Sequence, residues 1–164
     1  MTIKLESMLC CSAVILLFIF SCGEGAPREK RDLLQLVELL NEMTNMSGLA
    51  FNNYGCYCGW GGNGAPVDAV DRCCMLHDHC YGVVEACYPK WIHYKYQFAT
   101  HPDRILQCID KKNNCYKKTC ECDTNLAKCV AVAHYHSKNK DMSQVSCYKT
   151  RAPPVPAGNP FTKQ

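Results

Sequence analysis

The sequence predicts a mainly α-helical, disulfide-rich domain with an N-terminal helix, a glycine-rich loop, two long helices and a short β-hairpin. Three observations support this fold class. The chain of 164 residues contains 15 cysteines. Apolar residues recur at helical spacing near the start of the predicted mature chain, and two cysteine pairs are each seven residues apart. Many cysteines in a short secreted chain are typical of a disulfide framework.

The first segment is a predicted secretory leader. Lys4 precedes an apolar run over residues 8–20, and small residues follow the run. This pattern predicts a signal peptide over residues 1–25, since the run is too short to be a membrane span. The dibasic end of residues 26–31 predicts a propeptide, although a plain basic N-terminus has the same composition. We therefore expect a secreted, extracellular protein whose mature chain begins at Asp32.

Three of the cysteines lie in the leader, which leaves twelve for up to six disulfides. A zinc cage is the alternative for cysteines that lie close together, but the oxidising secretory route favours disulfides. The mature chain has 14 basic and 12 acidic side chains, a net charge of +2, and most of its lysines lie after residue 110. A basic face of this kind could bind anionic lipid head groups, nucleic acid or heparin-like polymers. It could equally be a solvated helix face.

The first helix follows the predicted mature N-terminus. Leu33, Leu36, Val37 and Leu40 have the spacing of one helical face, which predicts a helix over about 33–45. The apolar stripe would pack in the core or line the mouth of a binding site.

A glycosylation sequon, Asn45-Met46-Ser47, comes at the end of this helix. The motif alone does not establish the modification.

A loop and the second helix come next. Residues 52–66 hold five glycines and end in a proline, which predicts a loop. Asp68 then has the position of an N-cap, and Asp71 adds negative charge to the first turn. We expect the second helix to run from there to about Val84.

The remaining elements are a hairpin, a third helix and a tail. Aromatic and apolar residues over 90–109, with a turn at 101–103, predict a short β-hairpin. The third helix is predicted over about 113–133. The proline-rich segment 149–164 predicts a disordered tail.

The spacing of four cysteines relates the two long helices. Cys73 and Cys80 are seven residues apart in the second helix, as are Cys122 and Cys129 in the third, so each pair shares a helix face. Antiparallel helices would pair Cys73 with Cys129 and Cys80 with Cys122. Parallel helices would exchange these partners. The sequence alone leaves both pairings open.

The antiparallel pairing has a chemical consequence. It would place His77 on the face of the second helix that carries Cys73 and Cys80. Asp123 would lie opposite His77 on the third helix. A carboxylate beside a histidine fixes its tautomer and stabilises its protonated form, as in catalytic pairs. A buried structural pair would have the same residues.

The glycine-rich loop supplies a second set of candidate ligands. If Cys58 bonded to Cys74, the loop would lie beside Asp78 of the second helix. Calcium prefers six to eight oxygen ligands, and loop carbonyls with one carboxylate suit it. The loop lacks the acidic pattern of an EF-hand. A flexible turn is the alternative interpretation.

Three segments resemble the signature of the secretory phospholipase A2 family: YGCYCGWGGNG (54–64), DRCCMLHDHCY (71–81) and CECD (120–123). The resemblance covers nearly all of residues 32–148 and is closest to the group V branch, within the group II-like subset. It implies two long antiparallel, disulfide-linked helices and a calcium-binding loop. It further implies a calcium-dependent enzyme that cleaves the sn-2 ester of glycerophospholipids at membrane surfaces.

The resemblance also implies residue roles. His77 would be the general base that activates water, Asp123 would orient it, and Tyr81 and Tyr94 would support Asp123. The Ca²⁺ ligands would be the Asp78 carboxylate and the carbonyls of Tyr57, Gly59 and Gly61. The implied disulfides are Cys56–Cys147, Cys58–Cys74, Cys73–Cys129, Cys80–Cys122, Cys87–Cys115 and Cys108–Cys120.

The partners expected from the resemblance are a phospholipid membrane surface, contacted peripherally, and in addition anionic polymers or a receptor. We expect a monomer and no nucleic-acid partner. Because some relatives have lost activity, the alternative function is a non-catalytic phospholipase A2-like binding or matrix protein. Both His77 and Asp78 are retained in this chain, which favours the enzyme.

Overall fold

The computed structural model describes residues 33–99, 105–112, 114–155 and 161. The predicted signal peptide (1–25), the predicted propeptide (26–31) and the predicted hairpin turn (101–103) lie outside the described residues. The first two stay predictions.

Three α-helices make up most of the regular structure, as the sequence predicts. They are α1 (Leu33–Met43), α2 (Ala69–Val83) and α3 (Cys115–Val132). The side chain of Asp68 caps α2 by accepting a hydrogen bond from the backbone N–H of Asp71 at 3.0 Å. Asn114 caps α3 in the same way. These caps satisfy amide donors that the first turn of a helix leaves unpaired.

Helices α2 and α3 lie side by side and are joined by two disulfides. Cys73 bonds to Cys129, and Cys80 bonds to Cys122. An early residue of one helix is thus paired with a late residue of the other, which makes the helices antiparallel. The antiparallel pairing is confirmed, and the parallel alternative is wrong.

A two-stranded antiparallel sheet is the only β-sheet among the described residues. Strand β1 (Tyr96–Phe98) pairs with β2 (Leu106–Cys108), with Gln97 opposite Gln107. The predicted hairpin is therefore confirmed, but each strand is only three residues long. A 3₁₀ turn over Pro89–Trp91 occupies the start of the segment that was predicted as hairpin.

Six disulfides form among the described residues, and all six match the pairs that the resemblance implies. Two hold the glycine-rich loop: Cys56–Cys147 ties it to the C-terminal segment and Cys58–Cys74 ties it to α2. The other two are Cys87–Cys115 and Cys108–Cys120. The mainly α, disulfide-rich fold class is confirmed.

The apolar core lies between α1, α2, α3 and the loop, and includes Leu39, Val70 and Leu126. Within the described ranges, no helix has the length and apolar character needed to cross a membrane. In the tail, Val155 and Phe161 pack against the core. The disorder predicted for the tail as a whole stays a prediction.

Candidate active site

Asp123, on α3, accepts three side-chain hydrogen bonds although it is almost fully buried. Its Oδ1 accepts from His77 Nε2 at 2.8 Å and from the Tyr81 hydroxyl at 2.7 Å. Its Oδ2 accepts from the Tyr94 hydroxyl at 2.6 Å. A buried carboxylate is costly unless it is well hydrogen-bonded, and these three donors meet that requirement. Asp123 is therefore held in one orientation toward His77.

His77 faces this carboxylate from α2, where the helix also places Tyr81 one turn later. The two rings are 4.2 Å apart between centroids, so Tyr81 also restricts the imidazole by packing. With the Nε2 proton donated to Asp123, the neutral ring carries its lone pair on Nδ1. The imidazole is thus fixed in the tautomer that lets Nδ1 accept a proton.

Tyr94 is positioned by the first helix. Gln35, a buried polar residue of α1, donates from Nε2 to the Tyr94 carbonyl at 2.8 Å. It also accepts from the Tyr94 backbone N–H at 3.3 Å. Burial, together with the nearby charge of Asp123, raises the pKa of the Tyr94 hydroxyl far above its ordinary value. Tyr94 therefore remains protonated and remains a donor to Asp123.

The glycine-rich loop is held against α2 by a second buried carboxylate. The oxygens of Asp71 accept from the backbone N–H groups of Cys56 and Tyr57, both at 2.8 Å, and of Val67 at 2.9 Å. Gly55 lies directly against this carboxylate with φ +60°, and a Cβ there would come within 2.3 Å of Asp71. The close approach of the loop thus requires a glycine at this position.

Asp78 follows His77 on α2, close to the loop. Burial raises the pKa of its carboxyl from 3.8 to about 6, and the charge of Asp71 adds to this, whereas His77 and Lys90 oppose it. In the part of the chain that the structure describes, the carboxylate has no hydrogen-bond or salt-bridge partner. A buried carboxylate without a partner costs free energy unless a cation binds to it, so Asp78 is suited to be a metal ligand.

The glycine-rich loop provides further oxygen donors, namely its backbone carbonyls. Gly59 and Gly61 have φ of +145° and +77°, a backbone conformation that favours glycine. Across the described ranges, no group of three or more His, Cys, Asp or Glu side chains could hold a metal ion. Backbone carbonyls with one carboxylate form a hard oxygen donor set, which suits calcium rather than zinc. The residues present therefore fit the expected ion.

A cavity of about 140 Å³ opens in front of His77 and Asp78. Apolar side chains of α1, among them Leu36 and Leu40, line one side, and Tyr57 and Gly59 of the loop line another. Lys90 also lines the cavity, and its Nζ lies 4.1 Å from the ring centroid of Trp60. The apolar stripe of α1 therefore serves both the core and the cavity, the two roles considered for it.

The structure thus brings the predicted site residues into two groups, which meet at the cavity through His77 and Asp78. His77, Asp123, Tyr81 and Tyr94 form one hydrogen-bonded group. The second group contains the expected calcium ligands. Tyr57, Gly59 and Asp78 line the cavity in front of His77. Gly61, two residues after Gly59, lines a neighbouring cavity.

Two residues that position the site were given no such role from the sequence. Asp71 was predicted only to add charge to a helix turn, and Gln35 was assigned no positioning role. The loop partners of Asp71 lie 14 and 15 residues away in the chain, and the partner of Gln35 lies 59 residues away. The only signal in the sequence is that Gln35 stands among apolar residues in its helix, which indicates that its side chain is buried.

Comparisons with known proteins agree with this geometry. Residues 33–140 match the family model described as Phospholipase A2. The chain belongs to the phospholipase A2 family. Basic phospholipase A2 caudoxin of Bitis caudalis is 50% identical over 111 residues, which cover 68% of this chain and 88% of caudoxin. The group 10 secretory phospholipase A2 of Rattus norvegicus is 40% identical over 148 residues, covering 87% and 96% of the two chains.

A third relative, the acidic phospholipase A2 PLA-1 of Eristicophis macmahoni, is 42% identical over 122 residues, which cover 73% of this chain and 98% of that protein. The predicted membership of the secretory phospholipase A2 family and the predicted extracellular location are therefore confirmed. The closer likeness to the group V branch stays a prediction.

Proposed function

We propose that this protein is a calcium-dependent phospholipase A2 that hydrolyses the sn-2 acyl ester of glycerophospholipids at membrane surfaces, releasing a fatty acid and a lysophospholipid. The observation that carries the proposal is the fixed His77–Asp123 pair, whose histidine lines the same cavity as the unpaired carboxylate of Asp78. A base and a cation site side by side would supply the proton acceptor and the oxyanion stabilisation by which ester hydrolysis with water is catalysed.

The described residues support a direct attack by water. His77 Nδ1 takes a proton from a water molecule as its oxygen bonds to the ester carbonyl carbon. Asp123 stabilises the positive charge that then forms on the imidazole. When the ester C–O bond breaks, His77 returns the proton to the leaving alkoxide of the lysophospholipid. The tyrosine donors hold Asp123 in place throughout the cycle.

The proposed calcium ligands are the Asp78 carboxylate and the carbonyls of Tyr57, Gly59 and Gly61. When bound, the ion supplies positive charge for the substrate phosphate and for the oxyanion that develops on the ester. Asp71 supports this role indirectly, because it fixes the backbone of the loop against α2.

The surroundings of the cavity support peripheral contact with a bilayer. Trp60, beside the cavity residue Gly59, is 80% exposed. Leu34 and Leu49 are exposed apolar residues on segments that also line the cavity. Tryptophan favours the interface of a membrane with water, so these residues suit a protein that binds at the head-group level. Binding to anionic polymers or to a receptor, and a monomeric state, stay predictions.

The proposal is tested by fatty-acid release from phosphatidylcholine vesicles with calcium or with a chelator. We expect release that depends on calcium. Equal release under both conditions would exclude the metal site, and no release from a folded, fully oxidised protein would exclude catalysis.

The base assignment is tested by His77→Gln. The glutamine keeps a donor near Asp123 but has no nitrogen basic enough to accept the proton. We expect hydrolysis to be lost while calcium binding, measured by calorimetry, stays close to that of the wild type. Substantial turnover by this variant would contradict the role of His77.

A further inference from the structure

The bend that follows α1 is an exposed segment with no role in the site. Asn45, Met46 and Ser47 are all exposed. Thr44 stabilises the bend, since its hydroxyl donates to the Leu40 carbonyl at 2.7 Å and accepts from the Met46 backbone N–H at 3.3 Å. The sequence of the bend, Asn-Met-Ser, is an acceptor motif for N-linked glycosylation. It is the sole Asn-x-Ser/Thr motif in the sequence.

The polar side chains of the motif are not used by the fold. Ser47 precedes a 3₁₀ turn but makes no capping hydrogen bond with its side chain. Asn45 makes no side-chain hydrogen bond to any residue described. Asn41, one turn earlier, differs: its Oδ1 accepts from the Gly48 backbone N–H at 2.6 Å. The amide of Asn45 can therefore carry a substituent without loss of a structural contact.

We propose that Asn45 carries an N-linked oligosaccharide. The secretory route exposes the chain to a lipid-linked oligosaccharide diphosphate, the co-substrate of this modification. Asn45 Nδ2 forms a bond to C1 of the first sugar and loses one proton. The bond from C1 to the diphosphate oxygen breaks, and the lipid diphosphate leaves with the electron pair. No electron transfer is involved.

The position of Asn45 gives this oligosaccharide a consequence for membrane binding. Gly48 lines the cavity, and Leu49 beside it is 62% exposed. The oligosaccharide therefore stands at the rim of the cavity, at the C-terminal end of α1. Leu33 and Leu34 occupy the other end of this helix, about 16 Å away for 11 residues at 1.5 Å each.

A hydrated oligosaccharide does not enter hydrocarbon, because its hydroxyl groups would lose their hydrogen bonds to water. The glycosylated protein thus contacts the bilayer with the exposed side chains of Leu34 and Trp60, while Leu49, close to the oligosaccharide, stays outside the apolar layer. The oligosaccharide limits how deeply the rim of the cavity enters the membrane. This second step rests on the proposed action at membrane surfaces.

The modification is tested by mass spectrometry of the protein secreted from eukaryotic cells, before and after treatment with peptide-N-glycosidase. We expect a mass loss that leaves aspartate at position 45. Asn45→Gln and Ser47→Ala should both abolish the loss, and the matched control Ser47→Thr should retain it. A wild-type protein without removable carbohydrate, or a mass loss that persists in Asn45→Gln, would overturn the proposal.

The effect on orientation is tested by the partition of glycosylated and enzymatically deglycosylated protein onto phosphatidylcholine vesicles. Removal of the oligosaccharide should tighten binding several-fold and leave the hydrolysis of a monomeric soluble phospholipid unchanged. Equal partition of the two forms would overturn the effect on depth. If the protein bound the vesicles but hydrolysed neither the vesicle phospholipid nor the monomeric phospholipid, the proposed enzymatic function would be contradicted. The result on glycosylation would still stand.

Discussion

Asp123 is the residue on which the geometry of the proposed base depends. Its two oxygens are divided between the imidazole it orients and the two tyrosines that orient it. A carboxylate with fewer donors would have more freedom to turn away from His77. The order of the imidazole therefore depends on hydroxyl groups that do not touch the reacting atoms.

Tyr94→Phe tests this dependence. The change removes the donor to Asp123 Oδ2 while keeping the ring, so we expect a loss of about 1–2 kcal/mol in unfolding free energy. We also expect kcat to fall about tenfold with KM little changed, because the base is less well ordered and binding is not affected. Tyr116→Phe is the matched control, since Tyr116 is half-exposed. Equal kcat values for the two variants would contradict the positioning role.

Asp78 is held at a cost in the absence of calcium. Its folded-state pKa of about 6 lies above the ordinary 3.8. Between these values the folded protein retains a proton that the unfolded chain has lost. The contribution of this group to stability therefore decreases as pH rises through that window. Above it, the ionised carboxylate costs on the order of 2–3 kcal/mol.

Asp78→Asn should remove this cost. In chelator, we expect the variant to be more stable than the wild type at neutral pH, and its unfolding free energy to be less dependent on pH between about 4 and 6. Calcium should stabilise the wild type but not the variant, because ligand binding to the folded state alone adds stability. Denaturant titrations measure both effects. A variant that is less stable than the wild type in chelator would contradict the account.

The coupling of the loop to α2 is a property of two elements together. Two loop amides and one amide next to α2 donate to a single carboxylate of that helix, Asp71. The disulfide Cys58–Cys74 joins the same two elements. The disulfide limits their separation, whereas the hydrogen bonds determine how the loop backbone is oriented.

Asp71→Asn should separate these contributions. The amide presents its own donors to backbone N–H groups, so we expect a loss of about 2–4 kcal/mol in unfolding free energy. Calcium affinity should fall as well, since the loop that carries the proposed carbonyl ligands is less ordered. Asp110→Asn is the control, because Asp110 accepts a single exposed backbone N–H, that of Lys95. Calorimetry that finds unchanged calcium affinity in Asp71→Asn would contradict the coupling.

The elements were predictable from the sequence to different degrees. Helices α2 and α3 were predicted within two residues at each end, because cap residues and cysteine spacing are local features. The first helix ends at Met43 rather than near 45. The Thr44 hydroxyl there bonds to the Leu40 carbonyl, and the chain bends. The strands are shorter than the aromatic pattern indicates, since β-propensity depends on the packing context.

The site was predicted less evenly. The pairing of His77 with Asp123 followed from cysteine spacing and the resemblance, which are both present in the sequence. The roles of Asp71 and Gln35 did not follow, because each depends on a contact with backbone groups far along the chain. Such contacts carry no residue-type pattern, since any residue supplies a backbone N–H or carbonyl.

Over the whole molecule, disulfides connect the glycine-rich loop, α2 and α3, the three elements that carry the proposed catalytic pair and the proposed metal ligands. Cys80–Cys122 lies next to the proposed catalytic pair, three residues after His77 on α2 and directly before Asp123 on α3. It closes a chain separation of 42 residues. This bond therefore contributes both to global stability and to the distance between His77, the proposed base, and the Asp123 carboxylate.

Replacement of both Cys80 and Cys122 by alanine should lower the unfolding free energy by about 4 kcal/mol. Replacement of both Cys87 and Cys115, which are 28 residues apart, should cost nearly as much, because loop-closure entropy grows slowly with length. The two double variants should differ in turnover on vesicles under conditions where both are folded. Only the first removes a link beside His77, so its kcat should fall about tenfold relative to the second. Equal turnover would show that helix packing alone holds the catalytic pair together.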